Sequence, residues 1–160
     1  METESLRKRD VTISFWKANF HAIISLLPIL LILYFLYSFI WEKPAILFNY
    51  PYWLIYLVGV VIHELIHGFF AMKFSKQGMK SIKFGIYWKF LTPYCHCKEP
   101  LKVRDYRIVL LSPLFILGII PTITGLVIGH NGIYGFGLLF ILAAGGDLMI
   151  FWKLRNENKN

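Results

Sequence analysis

Four apolar blocks separated by charged segments organise the chain. The first, residues 20–41 (FHAIISLLPILLILYFLYSFIW), contains no Asp, Glu, Lys or Arg. At about 1.5 Å per residue a helix of that length crosses the roughly 30 Å hydrocarbon core of a bilayer. Residues 53–74, 108–129 and 135–152 form three more blocks long enough to span. The pattern predicts an all-α membrane protein with four transmembrane helices, a single integral domain over residues 1–160. The first block is too long for a signal-peptide core, and no A-x-A-like site follows it, so it reads as an uncleaved anchor. The sizeable stretch outside the spans is 75–107. Within it SIKFGIYWKF alternates and is rich in β-branched and aromatic residues, then Thr92-Pro93 breaks the run before YCHCKEPLKV. That pattern predicts a short β-hairpin against the inner membrane face.

Composition agrees with lipid as the main solvent. Of 160 residues 57% are hydrophobic and only 16% charged, which fits neither a soluble globular enzyme nor a disordered chain. The net charge of +8 comes from 17 basic and 9 acidic residues. Four basic residues precede the first span (Arg7, Lys8, Arg9, Lys17). Nine lie at the end of the second span or in the segment after it, and three (Lys153, Arg155, Lys159) follow the fourth; only Lys43 falls in a loop on the other side. The positive-inside rule then gives an N-in/C-in topology with the hairpin in the cytoplasm. Basic residues spread between apolar blocks read as contacts with the lipid bilayer rather than with nucleic acid. Trp41, Tyr50, Tyr52, Trp53, Tyr134 and Trp152 near the span ends suit an aromatic belt.

Scarcity of charge makes the exceptions readable. Of the nine acids, two fall inside the proposed spans, Glu64 and Asp147. An ionisable group in a spanning helix is costly and calls for a named partner. Glu64 has one in His63-Glu64-Leu65-Ile66-His67, the H-E-x-x-H pattern. Positions i and i+4 share a helix face, so both imidazoles can reach one metal ion, and the chemistry points to Zn²⁺. At this composition the pattern arises by chance with a probability of about half a per cent. A catalytic zinc needs a third protein ligand. His21 and His130 are poorly placed, at a span end and in the outer loop. Asp147 is at the depth of His67 if helices two and four both run outward to inward. Ala143-Ala144-Gly145-Gly146 strip side-chain bulk before Asp147, which predicts a close approach of helix four to helix two, with Gly59 as the matching depression. A lone buried histidine or acid is more often a hydrogen-bonded structural group, and small-residue runs usually serve packing. The H-E-x-x-H pattern with an aspartate at matching depth outweighs that reading.

Cys95-His96-Cys97 is not the C-x-x-C knuckle that closes around zinc; in a strand its two sulfurs share one face with His96 on the other. The plain reading is a pair of reduced residues near the mouth of the site. Pro28, Pro113 and Pro121 mark kinks.

With HELIHG inside a span and an acid on a later one, the layout resembles intramembrane zinc metalloproteases of the site-2 protease type. More closely, residues 55–152 resemble a small four-span bacterial membrane family of zincin peptidases. The resemblance implies His63, His67 and Asp147 as zinc ligands and Glu64 as the catalytic acid/base. In site-2 proteases the third-ligand Asp is followed by Gly, whereas here Gly145 and Gly146 precede Asp147. The expectation is peptide-bond hydrolysis in a membrane protein or peptide substrate, at a site nearer the cytoplasmic side of a bacterial cell membrane. An exposed edge in the Ser81–Phe90 hairpin is expected to hold the unwound substrate as an added strand. A membrane metal-binding or metal-transport protein would use the same ligands but would have no need of Glu64 beside them, and a scaffold would need none of the three.

Overall fold

Helix α1 (Phe15–Trp41) turns one thin stripe, Ala22, Leu26, Leu30, Leu33 and Tyr37, toward the other helices. The rest of its surface is apolar and open, with Ile32 67% and Phe39 86% exposed. A helix apolar all round with one packed stripe is stable only where lipid covers the remainder. The computed structural model describes residues 15–46, 53–88 and 92–156. The charges Arg7, Lys8, Arg9, Lys89 and Lys159, the belt residues Tyr50 and Tyr52, and Phe90 at the end of the expected hairpin lie outside the described residues.

Helix α2 (Trp53–Phe74) buries Gly59, His63, Gly68 and Ala71, a face of small residues with one imidazole among them. After a 3₁₀ turn at Gly78–Ser81 comes an antiparallel hairpin of β1 (Ile82–Tyr87) and β2 (Thr92–Cys97), in register from Ile82↔Cys97 to Tyr87↔Thr92. Helix α3 (Val103–Pro113), a π-helical stretch (Leu114–Ile119) and α4 (Ile120–Ile128) then run as one 26-residue span. Helices α5 (Asn131–Ala143) and α6 (Gly145–Lys153) complete the core, bent by 40° at their junction. Among the described residues three helices are long and apolar enough to cross a membrane, or four if the bent pair is one span.

Two boundaries differ from the sequence expectation. The third span begins at Val103 rather than 108, because Arg104, Asp105 and Arg107 interrupt the apolar run without interrupting the helix. Asp105 lies in the first turn, where the helix dipole favours a negative charge, and Arg107 donates to the Leu154 carbonyl at the end of α6. The bent pair of α5 and α6 covers 131–153 rather than the expected 135–152 and, if it is one span, is a broken one. It starts earlier because the His130 ring caps the helix, its Nδ1 accepting the Ile133 N–H at 3.2 Å.

At the end of the bundle where α1 and α4 finish, polar groups are paired within the protein. Tyr37 and Tyr134 are fully buried and stacked at 4.5 Å; their hydroxyls donate to the Gly129 and Leu33 carbonyls at 2.9 and 2.6 Å. Gly129, left-handed at φ 67°, ends α4, and its carbonyl also receives the Lys43 ammonium at 3.1 Å. Trp41 donates to the Leu126 carbonyl at 2.9 Å. Lys43, the basic residue on the opposite side in the charge pattern, therefore caps a helix C-terminus.

At the other end Glu99 ties the hairpin to α2. Its carboxylate accepts from the backbone N–H of Lys76 (2.8 Å) and Gln77 (3.2 Å) and from the Ser81 hydroxyl (2.6 Å). These bonds, the Ser81 one first, hold its pKa below the ordinary 4.5. A depressed carboxylate stabilises the fold above its unfolded value and loses that contribution as pH falls through the lower folded value. We expect Glu99→Gln to be cut faster by protease at the 75–82 junction at neutral pH, and the wild type to match it only below pH 4.5. Equal cleavage rates at neutral pH would contradict this role.

Candidate metal centre

His63 and His67 leave α2 from the same face, one turn apart, and Asp147 enters from the first turn of α6. A single carboxylate oxygen, Asp147 Oδ2, lies 3.2 Å from His63 Nε2 and 3.3 Å from His67 Nε2. One ligand atom from each residue falls within 4.8 Å of the others, and this is the group of three potential ligands found among the described residues. His63 is buried and the other two are largely so. The four expected site residues, His63, Glu64, His67 and Asp147, thus come together: the half-buried Glu64 carboxylate shares the electrostatic field of all three ligands. His21 is exposed on α1, and His130 serves as the helix cap described above.

The small residues act differently from the sequence expectation. Gly59 does form a depression facing the fourth span: a Cβ there would come 2.5 Å from Phe140 Cζ of α5. Gly145, however, fits against Ala22 of α1, where a Cβ would meet the Ala22 methyl at 2.6 Å, and Gly146 has no such neighbour within 4 Å. Thus Gly145 seats α6 on α1 rather than on α2. The 40° bend at Ala144 then redirects α6 so that Asp147 reaches the histidines.

A backbone carbonyl of α3 orients His67, a contact the sequence reading missed. The His67 Nδ1–H donates to the Val109 carbonyl at 2.9 Å. In an unbroken helix that carbonyl would accept the N–H four residues on, but residue 113 is proline and has none. The Leu114 N–H goes to Leu111 O, so the Val109 carbonyl keeps its lone pairs for His67 and for the Ser112 hydroxyl at 2.8 Å. Pro113 therefore provides the acceptor that fixes the His67 tautomer. The signal was present as a proline inside a span, but no sequence rule says which side chain meets the freed carbonyl.

The donor set fits a metal cation. With Nδ1–H committed to Val109, a neutral His67 presents a lone pair at Nε2, 3.3 Å from the lone pairs of an ionised Asp147. A shared cation turns that acceptor–acceptor contact into an attraction. His63 Nδ1 is buried without a hydrogen-bond partner, so the polar bonding of the centre is not completed by the protein's described groups alone. Two imidazoles, one oriented by a backbone carbonyl, and a carboxylate match a zinc site with an open position.

A protein-family model described as "Putative zincin peptidase" matches residues 56–160. The chain belongs to this family. Its match covers α2 from Tyr56 onward, the hairpin and every helix that follows, so all four site residues lie within it. No curated protein and no solved structure matches the chain.

Around the centre, β2 comes to Glu64. The Cys95 backbone N–H donates to the Glu64 carboxylate, whereas β1 pairs with the other edge of β2. The strand of the hairpin that reaches the site is therefore β2. Cys95 and Cys97 are free thiols; burial, with the Glu64 charge nearby, pushes Cys95 up to about 11, so it is protonated at neutral pH.

Restoring the missing donor should cost metal affinity. Pro113→Ala returns an N–H that competes for the Val109 carbonyl, and zinc binding should weaken by about 10- to 100-fold, read by chelator competition. Pro121→Ala, which frees no carbonyl at this centre, should bind zinc as the wild type does. Unchanged affinity in Pro113→Ala would show that the Val109 bond does not tune the site.

Proposed function

We propose that the chain is a zinc-dependent intramembrane metalloprotease that hydrolyses peptide bonds of membrane-associated protein or peptide substrates. The observation that carries this reading is the convergence of Asp147 Oδ2 on both H-E-x-x-H imidazoles at 3.2 and 3.3 Å, with Glu64 beside them. Membership of the zincin peptidase family supports it. In this reading all four spans cross the bilayer, both termini and the hairpin face the cytoplasm, and the membrane is a bacterial cell membrane. The site lies nearer the cytoplasmic side: Glu64 and His67 are 10 and 7 residues from the end of α2, about 15 and 10 Å along the axis.

His63, His67 and Asp147 would hold the zinc ion. When bound, zinc supplies a Lewis acid that polarises the scissile carbonyl and makes water more acidic. Glu64 takes the proton from the attacking water and passes it to the leaving amine nitrogen as the C–N bond breaks. Its neighbours keep it suited to that work: a carboxylate facing two imidazoles stays close to the reacting atoms without being consumed as a ligand. His67, held by Val109, keeps its orientation through the cycle. The apolar wall of Phe136 and Phe140 behind His63 limits water on the helix-facing side.

A metal-transport protein would use the same three ligands, and one comparison separates the two. Glu64→Gln should retain zinc and lose cleavage by about 10²- to 10⁴-fold, the usual share of a general acid/base. His63→Ala should lose both zinc and cleavage. Membrane peptides that accumulate in cells carrying Glu64→Gln identify the substrate for the assay. Full cleavage by Glu64→Gln would sink the protease reading, and unimpaired metal flux in that variant would favour transport.

A further inference from the structure

A strand rarely finds its backbone bonded to a catalytic carboxylate, and the hairpin register explains how this one does. Pro93 of β2 is paired with Ile86 and has no N–H, so at that position β2 donates nothing to the ladder. Strand geometry repeats every two residues, so Cys95, paired with Phe84, also turns its N–H away from β1. One edge of β2 is closed by β1, and the other presents the Cys95 N–H to Glu64.

Gly68 sets how close the strand can come. It lies four residues after Glu64, one turn along the same face of α2. A Cβ at Gly68 would come 2.3 Å from Phe84 Cζ and 3.3 Å from Cys95 Sγ, the two cross-strand partners that cover it. Any side chain at 68 would wedge the hairpin away from α2. Glu99 anchors the hairpin at its base, and Gly68 seats it beside the carboxylate.

We propose that β2 positions the catalytic base: the Cys95 amide N–H fixes the Glu64 carboxylate, and Gly68 is the seat that allows it. A free glutamate has three rotatable side-chain bonds; a charge-assisted bond to a rigid strand commits one oxygen and leaves the other for the proton in flight. Cys95 is thus a positioning residue through its backbone, and its thiol is dispensable. This inference rests on the reading of Glu64 as the base.

The test compares Cys95→Ala, which keeps the N–H, with Cys95→Pro, which removes it at a position outside the β1 ladder. The assay uses the full chain in proteoliposomes and a peptide that accumulates in the Glu64→Gln strain. Cys95→Ala should cleave like the wild type. Cys95→Pro should lose kcat by about tenfold or more, the usual effect of a lost hydrogen bond to a charge, with KM and zinc content unchanged. Gly68→Ala should lower kcat similarly, and adding Phe84→Ala should restore it by clearing the wedge. Should Cys95→Pro not fold, the Gly68→Ala and Phe84→Ala pair decides alone. Equal kcat in Cys95→Pro and Cys95→Ala, zinc loss in Gly68→Ala, or no rescue by Phe84→Ala would overturn the proposal. A Glu64→Gln protein that still cleaves overturns the base reading and this inference together; an inactive Glu64→Gln beside a fully active Cys95→Pro overturns this inference only.

Discussion

The constraint on which the rest of the structure depends is the placement of one carboxylate, Asp147, inside an apolar bundle. A charge there is tolerated only beside groups that answer it, and both H-E-x-x-H imidazoles meet the same carboxylate oxygen. Several features of the fold serve that meeting. Phe140 settles over Gly59 and brings α5 to α2; the bend at Ala144 turns α6; Gly145 rests on Ala22 of α1.

Helix irregularities are placed with equal economy. Inside lipid a free carbonyl has no water to turn to, so a proline in a span leaves an acceptor that the protein itself must satisfy. At Val109 that acceptor is given to His67 and Ser112, and a defect in the helix ladder becomes a support for a ligand. The same principle governs the C-terminal end of α4, where Tyr37, Lys43 and Trp41 take its last carbonyls. The π-helical stretch after Pro113 belongs to the same local reorganisation: Ile120 bonds five residues back, to Phe115.

The hairpin adds the one non-helical backbone near the centre. Its alternation puts Phe84 and Cys95 on the face toward α2, and its register leaves the Cys95 N–H outside the ladder. The three potential metal ligands come from two helices and the partner of Glu64 comes from a strand, so the centre joins three separate pieces of chain.

Much of this protein was legible before folding. Apolar blocks give the spans because lipid admits little else, and the four site residues stand out because chemistry-bearing groups are rare in such blocks. Helical spacing singled out His63, Glu64 and His67, and depth pointed to Asp147; the fold brings one potential ligand atom each of His63, His67 and Asp147 within 4.8 Å of the others. What only the tertiary structure decided were relations between segments distant in the chain: that Gly145 seats α6 on α1, that the carbonyl freed by Pro113 meets His67, and that β2 rather than β1 reaches Glu64. The reason is physical. Periodicity and hydropathy determine which face of an element is apolar and how deep a residue lies, whereas the partner of a freed carbonyl or an outward N–H depends on how rigid elements pack to within an ångström.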